Sequence, residues 1–62
     1  MRLEDKLYVC IKSQPGGMPL FALYIVFDDY RKGYVNQCLS ILKQEKKIKS
    51  QYTHGYWGYR AT

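Results

Sequence analysis

The sequence is poor in the residue types that build disulfide frameworks, metal centres and catalytic triads. Its 62 residues include two cysteines, one histidine and two prolines. Two cysteines fall short of the dense disulfide framework of small secreted domains, which favours a reducing, cytoplasmic location. Cys10 and Cys38 lack the spacing of a metal motif and fall on predicted apolar faces, so we expect buried free thiols. His54 has no second histidine and no acidic neighbour in the sequence, so we expect a turn residue and no metal site.

Long apolar segments are also missing. The longest apolar run covers residues 19–27, far short of the roughly 20 residues that a membrane span needs. Residues 1–6 carry charges of both signs with no apolar segment after them, unlike a signal peptide. We therefore expect a soluble protein with no membrane partner.

The short chain limits what can be built. A chain of this length buries only about 60% of the surface of its unfolded state, so one domain, residues 1–62, is the upper limit. A catalytic cleft needs walls as well as functional groups, and so short a chain rarely supplies both. Gly16 and Gly17 lack the lysine and the spacing of a phosphate-binding loop. We expect no enzyme, no cofactor and no small-molecule substrate.

What the chain does have is positive charge and aromatic side chains. Ten lysines and arginines outweigh five acidic residues, which gives a net charge of +5, and 16% of the residues are aromatic. A hydrophobic content of 47% is enough to fill a small core, which excludes intrinsic disorder. The charge favours a polyanionic partner.

Apolar spacing predicts two helices in the first half of the chain. A helix over residues 3–13 would carry one apolar stripe, formed by Leu3, Leu7, Cys10 and Ile11. Residues 14–17, with one proline and two glycines, then end this helix. The apolar segment 20–27 fits a buried strand or a buried short helix. We favour the helix because Pro19 suits a first turn and two turn-forming residues, Asp28 and Asp29, follow the segment.

A third, longer helix is predicted for residues 31–46. Its apolar residues keep helical spacing and would form the buried stripe: Val35, Cys38, Leu39 and Leu42, with Ile41 at the margin. The opposite side is polar and consists of Gly33, Gln37, Ser40 and Gln44, flanked by Asn36, Lys43 and Lys47.

From Ile48 onward the pattern changes to period 2, which predicts a β-hairpin. A two-residue turn at His54 and Gly55 pairs Thr53 with Tyr56, Tyr52 with Trp57, Ser50 with Tyr59 and Ile48 with Ala61. One face is then apolar and must pack against the rest of the protein: Ile48, Tyr52, Trp57, Tyr59 and Ala61. The other face is polar and basic: Lys49, Gln51, Thr53, Tyr56 and Arg60. Tyr56 has no evident role on that face.

The order of these elements resembles a winged helix-turn-helix. Residues 34–48 are similar to the recognition helix of that superfamily, with an apolar residue at Val35, a leucine four positions on, another three later, and a short basic exit into an apolar strand. The resemblance implies an α+β fold: a small winged helix-turn-helix, with three helices followed by a C-terminal β-hairpin wing.

The sequence departs from that pattern at two positions. Lys46 stands where winged helices usually have a glycine in a left-handed conformation, which implies either strain at Lys46 or a different exit from the helix. Arg31 stands where a serine or threonine usually caps the recognition helix, which suggests that Asp28 or Asp29 caps it instead.

Two subfamilies are similar in part. The length resembles that of the small pilus phase-variation regulators, which act with a larger DNA-binding partner. Lys32, Asn36 and Trp57 fall where the Z-DNA-binding winged helices carry the same residue types. The tyrosine of those proteins corresponds to Ser40 here, which disfavours left-handed DNA.

The resemblance and the charge imply sequence-specific binding of double-stranded DNA, by a small transcriptional regulator or a phage- or plasmid-type accessory factor. The third helix would enter the major groove, where amide and hydroxyl groups read base edges: Asn36, Gln37, Ser40 and Gln44. Its cations would contact phosphates, and its glycine would allow close approach: Arg31, Lys32, Lys43, Lys47 and Gly33. The hairpin would contact the neighbouring backbone through Lys49, Thr53, His54 and Arg60.

Two other interpretations stay open. Aromatic residues interleaved with cations are also typical of proteins that stack single-stranded DNA or RNA bases. The second alternative is a protein-interaction module on a winged-helix scaffold, with its basic surface against an acidic partner. Because one small reader makes few base contacts, DNA binding implies either a homodimer or a larger DNA-binding partner protein.

Overall fold

Three helices and three strands follow one another along residues 2–62, the part of the chain that the computed structural model describes. The elements are α1 (Leu3–Lys12), β1 (Met18–Pro19), α2 (Leu20–Val26), α3 (Lys32–Gln44), β2 (Ile48–Thr53) and β3 (Tyr56–Ala61). The strands form an antiparallel sheet in the order β1-β3-β2. The expected α+β layout, helices first and a hairpin last, is confirmed. Among residues 2–62, no helix combines the length and hydrophobicity needed to cross a membrane.

The predicted stripes of α1 and α3 build the core. Both helices bury the residues that their spacing marked, and Leu23 and Ile48 join them from α2 and β2. The core residues are Leu3, Leu7, Ile11, Leu23, Val35, Cys38, Leu39, Leu42 and Ile48. Both cysteines are free thiols, as predicted, although only Cys38 is fully buried and Cys10 is half-buried. Ile41 is half-buried at the edge of the α3 stripe.

The segment after the first break is a helix, as favoured, but its expected burial is wrong. Of the seven α2 residues only Leu23 is fully buried, whereas Phe21, Ile25 and Val26 are exposed, Ile25 by 69%. A helix against a single core buries one stripe, and a chain this short has no second layer to cover the other side. Residues 13–27 carry no charged side chain, so this exposed surface is apolar. We call Phe21, Ile25 and Val26 the α2 face.

A short edge strand precedes α2, and the sequence did not predict it. Met18 and Pro19 pair with Tyr59 and Gly58 of β3. Pro19 therefore lies just before the helix in extended conformation, with φ −67° and ψ 150°, and not in its first turn. Proline is tolerated on an edge strand because its missing N–H removes no ladder bond. The approach is close enough that a Cβ at Gly58 would overlap the carbonyl oxygen of Met18.

Both ends of α3 differ from the predicted ones. Arg31 is the N-cap residue, and no side chain caps the helix, so the predicted cap by Asp28 or Asp29 is wrong. At the C-terminal end Lys46 adopts φ 61°, the left-handed conformation that usually takes glycine. The helix ends at Gln44, two residues earlier than predicted.

The hairpin has the predicted register at every pair. Tyr52 lies opposite Trp57, Ile48 opposite Ala61, and both turn residues, His54 and Gly55, have positive φ, as a two-residue turn of this kind requires. The prediction that its whole apolar face packs is wrong. Ile48 is buried and Tyr59 and Ala61 pack against the core, but Tyr52 and Trp57 are each 61% exposed. The six-residue strands reach about 20 Å, and the helices cover only the half next to α3.

Candidate nucleic-acid interface

Every residue predicted to contact DNA is exposed in the structure. The structure nevertheless distributes these residues over three different surfaces: one along α3, one beside α1, and one on the far side of the sheet. Only the first of them combines polar readers with cations, so it is the candidate interface.

One side of α3 presents a row of polar and basic side chains. Lys32, Asn36, Ser40 and Lys43 are exposed and follow one another at spacings of four, four and three residues, which places them in a line along the helix. We call these four residues the α3 face. Gln37 and Gln44 are exposed on the adjoining side. Gly33 has no atom near the position of a Cβ, so the chain itself does not require a glycine there.

A tyrosine of α2 orients the middle of the α3 face. The hydroxyl of Tyr24 donates a hydrogen bond of 2.6 Å to Oδ1 of Asn36, and Nζ of Lys32 lies 5.5 Å from the centre of the Tyr24 ring. The bond leaves the amide N–H groups of Asn36 free to donate, and one lone pair on Oδ1 free to accept. The sequence did not indicate this role for Tyr24. Because Tyr24 lies within a continuous apolar run, its pattern indicates only burial.

Lys43 forms one wall of an open cleft between the helices and the hairpin. The cleft has a volume of about 380 Å³ and is lined by Leu20, Lys43, Ser50, Trp57, Gly58 and Tyr59. We call it the hairpin cleft. Burial raises the pKa of the Tyr59 hydroxyl above its ordinary value of 10.0, and the neighbouring Tyr24 raises it further. The Tyr59 hydroxyl is therefore a protonated hydrogen-bond group at neutral pH.

Trp57 also belongs to an exposed aromatic pair at the far end of the hairpin. Its ring and that of Tyr52 meet edge to face, with 5.1 Å between centroids and 64° between planes. We call Tyr52 and Trp57 the hairpin pair. It was expected in the core, yet it lies on the same face of the hairpin as the residues that pack on α3, and it continues the surface that begins at Lys43.

Some predicted contact residues lie apart from the α3 face. Nζ of Lys47 lies 5.9 Å from the centre of the Tyr8 ring of α1 and 3.8 Å from Oε1 of Glu45, so Lys47 belongs to the α1 side. Lys49 and Arg60 are cross-strand neighbours and alternate with residues that face the core. They therefore lie on the outer face of the sheet together with Thr53. Lys47, Lys49 and Arg60 therefore lie on surfaces other than the α3 face.

Tyr56, which the sequence left without a role, packs against α2. Its ring and that of Phe21 meet edge to face at 5.1 Å, although both side chains remain exposed. Beside Tyr56, a hollow of about 170 Å³ opens on the outer face of the sheet. There the side-chain amide of Gln51 donates a 2.8 Å hydrogen bond to the carbonyl oxygen of Gly16. Tyr56 thus extends the α2 face onto the sheet.

The charges divide along the chain. The acidic residues are Glu4 and Asp5 on α1, Asp28 and Asp29 between α2 and α3, and Glu45 directly after α3. Residues 46–62 contain four lysines and arginines and no acidic residue. The hairpin is therefore uniformly positive, and so are the charged residues of the α3 face.

No protein-family model matches the chain, and neither a curated protein nor a solved structure is significantly similar to it.

Proposed function

We propose that this chain is a sequence-specific double-stranded DNA-binding protein of the winged helix-turn-helix type. In this role α3 enters the major groove and the hairpin contacts the neighbouring backbone. A small transcriptional regulator, or an accessory factor that works beside a larger DNA-binding protein, fits this function. The observation that carries the proposal is the α3 face, where two cations bracket Asn36 and Ser40 beside an entirely basic hairpin.

The dimensions of α3 support major-groove binding. A helix with its side chains is about 10–12 Å wide, and the major groove of B-DNA is about 12 Å wide. Asn36 has the groups that bond bidentately to the adenine edge, and Ser40 can bond to either purine. Lys32 and Lys43, near the two ends of the helix, can contact phosphates.

Salt dependence of binding tests the proposal. Contact with about five phosphates should give a slope near −4 to −5 in a plot of log affinity against log salt concentration. We would first select bound duplexes from fragmented genomic DNA, and then titrate the best duplex and a scrambled one. A site preference with that slope is expected. If neither duplex binds at about 50 mM salt, the proposal is wrong.

Matched variants separate base reading from charge. Asn36→Ala with Ser40→Ala should reduce the preference for the selected duplex over the scrambled one, by about 1–3 kcal/mol for a bidentate contact. Gln37→Ala with Gln44→Ala tests the adjoining side of α3 in the same way. Lys49→Gln, on the outer face of the sheet, should weaken binding to both duplexes equally. Unchanged preference in the first variant would remove the α3 face from base readout.

A second candidate function, a protein-interaction module, is favoured by the α2 face. Three large apolar side chains are exposed on a helix with no charged residue, and contiguous exposed apolar surface marks interaction sites. We propose a second copy of this chain as the occupant, because two copies of net charge +5 can meet there without apposing their cations. Sedimentation velocity should show a dimer that Ile25→Glu dissociates, whereas Lys49→Glu should not. A monomer at all concentrations would contradict self-association.

A further inference from the structure

We propose that the hairpin cleft binds one unpaired nucleotide, with its base against Trp57 and its phosphate on Lys43. The proposal goes beyond duplex binding, because it concerns a nucleotide outside the stack of a double helix. It requires only that the partner is a nucleic acid.

The lining of the cleft matches the parts of a nucleotide. Trp57 and Leu20 supply apolar surface for a planar base, and Lys43 supplies a positive charge for a phosphate. Ser50 and Tyr59 add two hydroxyl groups that can bond to base edges or sugar. The only charged residue among the six that line the cleft is a cation, so an anionic ligand meets no repulsion there.

The size of the cleft limits the occupant. Its volume of about 380 Å³ is near the lower end of the range of small-molecule sites, about 300–1,000 Å³. A single nucleotide fits this class. The cleft is open to one side, as a site for one unit of a longer strand must be.

The exposure of the hairpin pair is the second observation. Tyr52 and Trp57 are large aromatic residues that the core does not cover, in a chain where other aromatic side chains, such as Tyr59 and Phe27, pack against the core. The Tyr52 and Trp57 rings meet edge to face. Every nucleobase has a π-face, so an exposed indole beside a lysine is the chemistry that stacks bases without reading their sequence.

The nucleotide must be unpaired because a stacked base has no free face. Inside an intact duplex each base is covered above and below by its neighbours, so Trp57 cannot stack on its face. A single strand, or a base displaced from a duplex, exposes the face that Trp57 would contact. Lys43 belongs to both the α3 face and the hairpin cleft, so a duplex held on α3 would bring a displaced base close to Trp57.

The tryptophan itself reports the binding, because the chain has one tryptophan. We would titrate the protein with three probes: an eight-residue oligothymidylate, a blunt duplex without unpaired bases, and the same duplex with one extrahelical thymidine. The expected result is strong quenching of Trp57 fluorescence by the single strand and by the extrahelical base. The intact duplex should quench it weakly. Equal quenching by both duplexes, or none by the oligothymidylate, would overturn the proposal.

Variants then separate stacking from general charge, with binding followed by anisotropy of a labelled oligothymidylate. Trp57→Ala should lower affinity by about 5- to 150-fold, the range measured for base–aromatic stacking, whereas Trp57→Phe should retain most of it. Tyr34→Ala, at another exposed tyrosine, is the control and should have little effect. Lys43→Gln should weaken binding more than Lys49→Gln, although both remove one positive charge. Equal effects of the two lysine variants would reduce the cleft to non-specific charge and contradict the proposal.

The two proposals fail separately. If the single strand no longer binds after Trp57→Ala while the selected duplex binds as before, the cleft is a distinct site. If no duplex binds but the oligothymidylate quenches Trp57 fluorescence, the nucleotide site is supported and the duplex-binding function is contradicted. If Trp57→Ala changes neither, the nucleotide site falls and duplex binding stands. Circular dichroism of each variant verifies folding. Because Trp57 is exposed, we expect its variants to fold.

Discussion

Tyr24 of α2 and Asn36 of α3 are joined by a hydrogen bond of 2.6 Å from the tyrosine hydroxyl to Oδ1 of the amide. The bond links α2 to the α3 face and orients the side-chain amide of Asn36. Tyr24 thus acts as a positioning residue for the central polar side chain of the α3 face.

Tyr24→Phe should therefore reduce DNA site discrimination more than it reduces stability. The bond lies at the surface, so its loss should cost at most about 1 kcal/mol of unfolding free energy. Without it the amide of Asn36 rotates freely, and the ratio of affinities for selected and scrambled duplexes should fall, while affinity for the scrambled duplex should stay the same. Equal loss on both duplexes would indicate a purely structural role. Asn36→Ala is the reference variant, and adding Tyr24→Phe to it should have no further effect on discrimination.

Lys46→Gly should stabilise the protein. The N–H of Lys47 donates to the carbonyl of Leu42, and the N–H of Lys46 to that of Lys43, both at 3.0 Å, which is the bonding pattern that ends a helix through a left-handed residue. A residue with a Cβ is strained in that conformation by about 1 kcal/mol or more. Relief of 1 kcal/mol should raise Tm by roughly 4–8 °C for a chain of this size.

The neighbouring lysine is the control for that prediction. Lys47 is outside the set of residues with positive φ, so Lys47→Gly relieves no strain and adds chain entropy to the unfolded state. It should lower Tm. An equal rise in both variants, measured by thermal unfolding, would point to reduced charge repulsion and contradict the strain at Lys46.

Gly58→Ala should destabilise the protein by displacing β1. A methyl group at Gly58 would overlap the backbone of Met18 and Pro19, and overpacking of this kind typically costs about 1–3 kcal/mol. Gly16→Ala is the matched control, because nothing lies within 4 Å of a Cβ there, and it should change stability little. Urea unfolding of both variants measures the difference. Equal stabilities would contradict the close pairing of β1 with β3.

How far the sequence predicted the fold depended on the length of each pattern. The α3 stripe and the hairpin register were correct because many residues repeat one period, and because the turn at His54 and Gly55 fixes the pairing. β1 was not predicted because a strand of two residues, Met18 and Pro19, is too short to show an alternating pattern. Their pairing depends on the missing side chain of Gly58, forty residues away, which no local pattern encodes.

The candidate site was predictable in its residue types and less so in its arrangement. The exposed row from Lys32 to Lys43 follows from helical periodicity alone. The contact between Tyr24 and Asn36 joins two helices, and the exposure of Trp57 depends on where the helices end along the hairpin. Both are tertiary relationships. A period-2 pattern marks Trp57 as apolar-facing without indicating whether anything lies there to cover it.

Stability should fall as pH rises above about 9. Burial raises the pKa of the Cys38 thiol above its ordinary value of 9.0, and Glu4 raises it further, with 3.7 Å between Sγ and Oε1. Burial likewise raises the pKa of Cys10. The unfolded chain then releases these protons at a lower pH than the folded one, so it binds fewer protons above pH 9, and the free energy of unfolding decreases with pH.

The direction of that change separates it from the effect of net charge. A smaller net positive charge at high pH would weaken the self-repulsion of the chain and stabilise the fold. Tm should be constant between pH 7 and 8 and fall between pH 9 and 10.5, with the Tyr59 hydroxyl adding to the loss above pH 10 because its pKa is also raised. Glu4→Gln removes one cause of the Cys38 shift and should make the fall smaller. A Tm that rises over this range would mean that charge repulsion, and not the buried thiols, governs alkaline stability.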